Sequence, residues 1–594
     1  MKLPSLSFLA QAFFGAWRRF PFTMISAAIG VAILMAAIEN NKGDDDLMKV
    51  WMMAQIGLPF FTGLVAFAES KAWSFTRKMA LQAGGLGLLV LYFFFIKLHA
   101  KNLETVQLPR YIGFLAIAHL IAAVAPYLNR LSVADFWEYN KQLFANFIVG
   151  AAYTLILFSG LSLALLAVNE LFALDMNQKI YAHLFVLLAG IFNTSFFLAH
   201  FPTDFTFEEQ ERTYNVIFKN LCQYILIPIV GLYFLILYAY SIKIILTWSL
   251  PKGWVSSLVL GFSVAGIFTY LLNYLLPENS ESKVVHAYRR WFWWVLLPMV
   301  GLLFAAIGRR IADYGVTEER YFVAHAGLWL FVMCVYFLWS KSDNIKFIPI
   351  SLALFILPAI LGPLSAFRVA QRSQATVLHH LLEQNGRFDG EKLKPGNDIL
   401  SGDAAERIQS ALNFLERREA LDQVDPWLPI PWQAMPGYTE NSRHADLLAD
   451  WLKIETNAAS PAHSERARSV YPNDGLVRTA NVAGYKAFYR LELYEVRKGG
   501  RQRPSDQFAS LTADGANLVL QTEMNKTAPD TFNLAPLMQK WIAADTASAA
   551  DIRISEPFFE LHSKKLAARL YLQEARFDPK KQRMENLYGL LFVK

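Results

Sequence analysis

Residues 143–168 read LFANFIVGAAYTLILFSGLSLALLAV, a run without one charged side chain. A helix rises about 1.5 Å per residue, so this run outreaches the roughly 30 Å hydrocarbon core of a bilayer. Such a helix satisfies every backbone N–H and C=O internally, which a medium without water demands. The same ruler, roughly 20 apolar residues, marks about ten further stretches: 21–38, 50–68, 79–96, 111–128, 180–199, 221–240, 254–276, 291–307, 321–339 and 347–364. After residue 365 the pattern stops. The reading is a polytopic α-helical membrane bundle of about eleven transmembrane helices, followed by a C-terminal α+β extramembrane domain.

Composition agrees. A chain of 594 residues that is 54% hydrophobic and 18% charged carries more apolar surface than a water-soluble fold can bury. The net charge of +7 reflects Lys and Arg held at membrane flanks rather than nucleic-acid binding. Cys222 and Cys334 both fall inside apolar stretches, so neither constrains the redox environment of the tail.

The expected divisions are 1–20, an interfacial segment; 21–365, the membrane domain; 366–470, a helical and loop connector; and 471–594, a small α+β domain. Residues 5–17 are apolar but short, which suits a helix lying in the interface. Helices are expected over 366–385, stopped by Gly386, and over 403–418. From about 471 the period becomes two. Tyr485–Tyr494, Leu518–Leu520, Ala567–Phe577 and Leu587–Val593 read as strands, the last two joined by Asp578-Pro579-Lys580-Lys581, and Phe532–Trp541 reads as a short helix.

Arg18 and Arg19 precede the first helix, and Asp44, Asp45 and Asp46 follow it. Retention of cations on the inner side puts the N-terminus in the cytoplasm, and an odd number of crossings puts the C-terminal domain in the periplasm.

Charged side chains are nearly missing from the middle of the spans. Asn146, Asn193, Gln223 and Asn273 are neutral there, and Glu69, His200 and Lys243 lie near span ends. A buried ion is kept only for a use, so this pattern argues against a proton- or sodium-coupled transporter. Pro59, Pro228, Pro298 and Pro358 each remove a helical hydrogen bond and permit a kink. The densest polar constellation joins the ninth and tenth spans and supplies the candidate functional surface: Arg309, Arg310, Tyr314, Gly315, Thr317, Glu318, Arg320, Tyr321 and His325. Gly315 suits a positive-φ turn and Thr317 an N-cap. Either this is an anchored turn, or its arginines meet a lipid head group or anionic substrate.

The residues at this turn also carry a resemblance. Tyr240…Lys243…Pro251-Lys252-Gly253-Trp254, Arg309-Arg310-Ile311…Tyr314-Gly315…Thr317-Glu318…Arg320-Tyr321, Pro349-Ile350-Ser351, Gly362-Pro363…Ser365 and Arg372-Ser373-Gln374 resemble the bacterial membrane family called domain of unknown function 4153. Upstream, Arg19-Phe20-Pro21 and Phe136-Trp137…Tyr139-Asn140 resemble it too. The resemblance implies a bacterial inner-membrane protein with a C-terminal extramembrane region, and brings no activity, cofactor or catalytic residue.

The sequence has no G-x-x-x-x-G-K-[ST], H-E-x-x-H, C-x-x-C or G-x-S-x-G. His379 and His380 point about 100° apart on a helix and do not form a two-ligand site. No catalytic residue, cofactor or metal is therefore expected. The expected partners are membrane lipids and another envelope protein bound through the C-terminal domain, with no nucleic acid. Three functions follow. The membrane domain anchors an outward-facing docking module; or it is a carrier or flippase for an amphipathic, lipid-like solute; or it is a membrane transferase with a site near 309–321. The first reading leans away from an enzyme. A continuous polar cavity would favour the carrier, and convergence of Glu318, Arg320 and His325 on one pocket would favour the transferase.

Overall fold

The computed structural model describes residues 6–40, 45–96, 106–128, 132–174, 176–207, 219–247, 254–275, 282–340, 344–439 and 442–455, and, further on, 468–472, 487–494, 509–511, 517–520, 530–543, 551–554, 558–563, 567–578 and 583–593. These fall into two compact units, Met1–Ile454 and Glu455–Lys594.

The first unit opens with α1 (Leu6–Arg19), which runs into α2 (Pro21–Asn40) across Phe20, followed by α3 (Asp45–Ser70), α4 (Phe75–Phe95), α5 (Leu108–Val124) and α6 (Val133–Phe172). Next come α7 (Lys179–Leu187) and α8 (Asn193–Ala199), joined by a π-turn at Leu188–Phe192. A second π-turn, Leu221–Leu226, leads into α9 (Ile227–Thr247), and α10 (Trp254–Leu272), α11 (Lys283–Tyr314), α12 (Glu318–Trp339) and α13 (Phe347–Ile360) complete the series. Among the described residues nine helical stretches are long and apolar enough to cross a membrane, with α7 and α8 counted as one, and α10 and α13 are shorter apolar helices. The chain is a multi-pass membrane protein. Its surface is inverted relative to a soluble fold, with Leu91, Phe94, Leu171, Leu246 and Val264 all more than half exposed, as lipid-facing positions require.

Glycines set the closest approaches. A Cβ on Gly113 of α5 would lie 2.8 Å from Ile360 of α13, and one on Gly190 in the first π-turn would lie 2.1 Å from Val31 of α2. The widened backbone at Leu188–Phe192 therefore seats α2 directly. Pro59, Pro298 and Pro358 lie inside helices. Pro228 instead stands in the first turn of α9, immediately after a π-turn closed by Ile227 N–H donating to Cys222 O. A residue without an N–H fits where the ladder is already changing register.

α14 (Ala366–Gln384) leaves the last membrane helix, and with a short hairpin, β1 (Phe388–Asp389) and β2 (Lys392–Leu393), α15 (Asp403–Arg417) and α16 (His444–Trp451) it forms a helical layer around Leu378, Leu382, Ile408, Leu412 and Leu448. This layer belongs to the first unit. Gly386 ends α14 at φ +65°.

The second unit is α+β. β4 (Ala487–Tyr494), β11 (Arg583–Val593), β10 (Ala567–Asp578), β3 (Arg468–Pro472) and β8 (Asp551–Ile554) line up in that order, and β9 (Phe558–His562) also pairs with β10. β5 (Ala509–Leu511), β6 (Asn517–Leu520) and β7 (Asp530–Asn533) make a three-stranded sheet. α17 (Ala535–Ala543) places Met538 and Trp541 in a core with Leu518, Phe532, Leu570 and Leu587. Strands stand where they were expected, at β4, β6, β10 and β11. The helix expected over Phe532–Trp541 starts later, because Phe532 and Asn533 close β7 and the Asn533 carboxamide accepts from Ala535 N–H at 2.9 Å. Asp578 pairs with Arg583 at the end of the hairpin; Pro579, Lys580 and Lys581, and also Tyr485, Lys486, Pro251, Lys252, Gly253 and Asp44, lie outside the described residues.

Candidate functional site

A cavity of about 1140 Å³ opens between α5, α6, α10, α12 and α13. That exceeds the ~300–1,000 Å³ of ordinary small-molecule pockets. Its walls are apolar: Ile112 and Ala116 from α5, Phe144 from α6, Phe268 from α10, Phe322 and Ala326 from α12, and Leu352 and Ile356 from α13.

Two seams hold the walls apart. On one side Gly113 lets α5 meet α13. On the other, Trp137 Nε1 donates to Leu271 O at 2.7 Å and Phe144 packs edge-on against Phe268 at 5.5 Å, tying α6 to α10. Polar groups in the walls are spent internally. Trp329 Nε1 donates to Ser351 Oγ at 3.0 Å, and Ser351 Oγ donates to Ile348 O at 3.1 Å. His325 Nε2 lies 2.8 Å from Phe355 O, and since a carbonyl only accepts, the proton sits on Nε2. The ring stacks on Tyr321 at 5.4 Å. Burying such groups is tolerable only because each has a partner.

Four charged residues line the cavity: Lys141 of α6, which pairs with Glu138 at 2.6 Å, and Glu318, Glu319 and Arg418 at the end where α12 begins, called the mouth below. Arg418, just past the end of α15, reaches back across one hundred residues of sequence. Its Nε donates to Glu318 Oε1, and a terminal nitrogen donates to Oε2 at 2.9 Å. The two side chains are 12% and 8% exposed, so the pair is buried. The guanidinium also covers the ring of Phe414, 3.6 Å from its centre. The helical layer thus supplies one wall of the mouth.

The constellation at 309–321 is divided by the fold. Gly315 takes φ +73° with ψ −179°, a conformation essentially reserved for glycine, and a Cβ there would lie 2.7 Å from Val377 of α14. α14 clamps and covers the turn: Val316 N–H donates to Ser373 Oγ at 2.8 Å, and Gln374 Nε2 donates to Tyr314 O and Val316 O, each at 3.0 Å. Arg407 of α15 donates to Asp313 O at 2.9 Å, and Tyr321 OH donates to Leu364 O at 2.6 Å. Thr317 occupies the N-cap position of α12, yet its hydroxyl makes no capping bond. Arg309 is exposed beside Asp313 at 3.9 Å. Arg310 is half-buried on the same helix. Arg320 donates to Gly315 O at 2.7 Å and Tyr314 O at 3.2 Å and covers the Tyr314 ring. Of the nine candidates, Glu318 and His325 line the cavity and the other seven build or flank the turn. The kink prolines Pro59, Pro228, Pro298 and Pro358 are not among the lining residues.

A second polar cluster stands at the opposite ends of these helices. Arg19 bonds Glu69 at 2.7 Å, Phe201 O at 2.9 Å and Pro202 O at 2.5 Å, while Lys78 meets Glu69 at 3.2 Å. Tyr139 OH donates to Ala122 O, and Asn140 Nδ2 to Ala123 O. The partners here are other parts of the bundle, so this cluster fastens α1, α3, α5 and α6 together. Among the described residues no group of three or more His, Cys, Asp or Glu side chains is placed to hold a metal.

Sequence reasoning missed Arg418, Trp137 and Trp329 as cavity residues. Trp137 carried a signal, as one of the resemblance-bearing residues. Arg418 carried none, since a basic residue at the end of a solvent-facing helix is ordinary.

A family model described as "Domain of unknown function (DUF4153)" matches residues 26–411, and the chain belongs to that family. The match takes in both seams and Glu318 and stops before Arg418. An uncharacterized protein of Pasteurella multocida (strain Pm70) is 24% identical over 265 residues, 44% of this chain and 44% of the relative. The chain thus aligns with less than half of that relative's length. No solved structure matches.

Proposed function

We propose that this integral membrane protein is a carrier for an amphipathic, lipid-like molecule, held with its hydrocarbon against the walls of the cavity and its head group at the Glu318–Arg418 mouth. The cavity is not the continuous polar passage named as the mark of a carrier; the observation that carries the reading is instead its size, about 1140 Å³, with largely apolar walls, three charged side chains where α12 begins and a fourth, Lys141, engaged by Glu138 at 2.6 Å. The transferase reading is weakened because Arg320 is turned to the carbonyls of Tyr314 and Gly315, and the Nε2 proton of His325 is engaged by Phe355.

We infer further that the protein sits in a bacterial inner membrane with its N-terminus in the cytoplasm. Arg18 and Arg19 at the end of α1 and Asp45 and Asp46 at the start of α3 support that orientation. Eleven apolar helices would then put the second unit in the periplasm, where docking of another envelope protein is a role compatible with carriage.

The test is lipid retention and movement. Wild-type protein purified in mild detergent is expected to keep about one lipid per chain in native mass spectrometry and to speed lipid exchange in proteoliposomes. Ala326→Trp and Ala116→Phe project bulk into the cavity and should lose both. Equal lipid content and exchange in folded variants would overturn the proposal.

A further inference from the structure

Resting on the carrier reading, the mouth also carries information about the head group. Of the four charged side chains that line the cavity, Lys141 of α6 is paired with Glu138 at 2.6 Å, and the other three, two carboxylates and one guanidinium, stand where α12 begins. Glu318 and Arg418 are matched to each other through a two-point contact. A guanidinium has five N–H donors. Two are directed at Glu318 and one at Phe414 O, at 3.4 Å. Two N–H groups remain for an incoming acceptor.

Glu319 is the other half of the recognition. It is exposed and lines the same mouth. Its neighbour in sequence, Arg320, sends its guanidinium to the carbonyls of Tyr314 and Gly315. The mouth therefore presents one carboxylate that Arg320 attracts but does not bond in a salt bridge, and one guanidinium with two donors left, both beside an apolar chamber. A purely anionic phosphate head would enter against two carboxylates and a guanidinium already half-neutralised. An uncharged head would leave Glu319 unused.

We propose that the head group is zwitterionic, a phosphate diester bearing a primary ammonium, with the ammonium donating to Glu319 and a phosphate oxygen accepting from Arg418. A primary ammonium has N–H donors for a charge-assisted bond, and a quaternary one has none. Specificity then resides in Glu319, while occupancy of the cavity resides in its apolar walls.

Competition among three phospholipids with identical acyl chains separates these two claims. Purified full-length protein is equilibrated with equal amounts of phosphatidylethanolamine, phosphatidylcholine and phosphatidylglycerol, and the bound species are counted by native mass spectrometry. Phosphatidylethanolamine should be enriched about tenfold over phosphatidylglycerol and severalfold over phosphatidylcholine. Glu319→Gln should bring the three toward equality without lowering total bound lipid, and Glu319→Asp should restore the preference. Equal uptake by the wild type, a preference for phosphatidylglycerol, or a preference unchanged in Glu319→Gln overturns the head-group assignment and leaves the cavity reading standing. Lipid content untouched by Ala326→Trp overturns the cavity reading itself.

Discussion

Replacing Arg418 by Met should be among the most damaging single changes in the first unit. The methionine keeps much of the stem that packs on Phe414, but it strands the Glu318 carboxylate, 8% exposed in the native state. At an effective dielectric of about 20 and a charge separation of about 4 Å, the lost attraction is about 4 kcal/mol. Breaking one side of a buried pair costs about 3–5 kcal/mol in measured cases. The same reasoning predicts a much milder double variant, since Glu318→Leu with Arg418→Met removes both charges and their desolvation together. Net loss there should stay within about 1–2 kcal/mol. A double-mutant cycle, read by equilibrium unfolding in one mixed-micelle system, isolates the coupling. Hydrogen exchange in the first turn of α12 and the last turn of α15 should report the same opening locally. A coupling energy below about 1 kcal/mol, the range of exposed ion pairs, would refute the argument that the mouth is built on a desolvated charge pair.

Three further changes probe the scaffold. Gly315→Ala forces a side chain into a backbone region costing about 1–3 kcal/mol and drives a Cβ toward Val377, so limited proteolysis should cut the helical layer faster than in the wild type. Gly190→Ala places a methyl 2.1 Å from Val31; it should destabilise by about 1–3 kcal/mol in mixed-micelle unfolding, and Val31→Ala should relieve most of that if the contact is the cause. Asp398 accepts a 2.9 Å bond from the buried Arg387 guanidinium, and this bond, with the charge of Arg387, holds its carboxyl below the usual value. The stabilisation is fully present above the unfolded value near ~3.9, is lost as pH falls through the lower folded value, and should vanish from a pH-dependent hydrogen-exchange profile of residues 387–400 in Asp398→Asn.

What could be read from the sequence was what a bilayer dictates one helix at a time. Runs such as 143–168 announce themselves because lipid imposes length and apolarity locally, with no need to know the neighbours. Gly315 was legible for a similar reason, as a turn between two spans calls for a residue free to take positive φ. Thr317 was half legible, since the N-cap position is right while the capping bond is missing. The cavity was not legible. Its lining residues come from five helices, and nothing in the period of α5 or α13 says that Gly113 will meet Ile360 and leave space beside the seam. The Glu318–Arg418 pair was hidden for the same reason, because a separation of one hundred residues removes any local signal. The layer over 366–454 looked like a connector because its helices are amphipathic and soluble in style. Its attachment depends on Ser373 and Gln374 meeting backbone groups of Val316 and Tyr314, contacts that no periodicity reports.

That attachment bears on how a site at this mouth could work. A membrane bundle alone would leave the Tyr314 carbonyl with only Arg320 and the Val316 carbonyl without the Gln374 donor, and it would leave Glu318 at the cavity rim as a lone carboxylate. The layer corrects both at once, because α14 supplies the donors to the turn and the end of α15 supplies the guanidinium. Turn and mouth are separated by one residue, Thr317, so they cannot move independently. A tilt of the layer sufficient to release Gln374 from Tyr314 would also pull Arg418 from Glu318, and a head group drawing on Arg418 would load the same joint from the other side. On this reasoning Gly315 and Arg320 shape the joint, Glu318 ties it to Arg418, and Glu319 is the carboxylate left for the ligand.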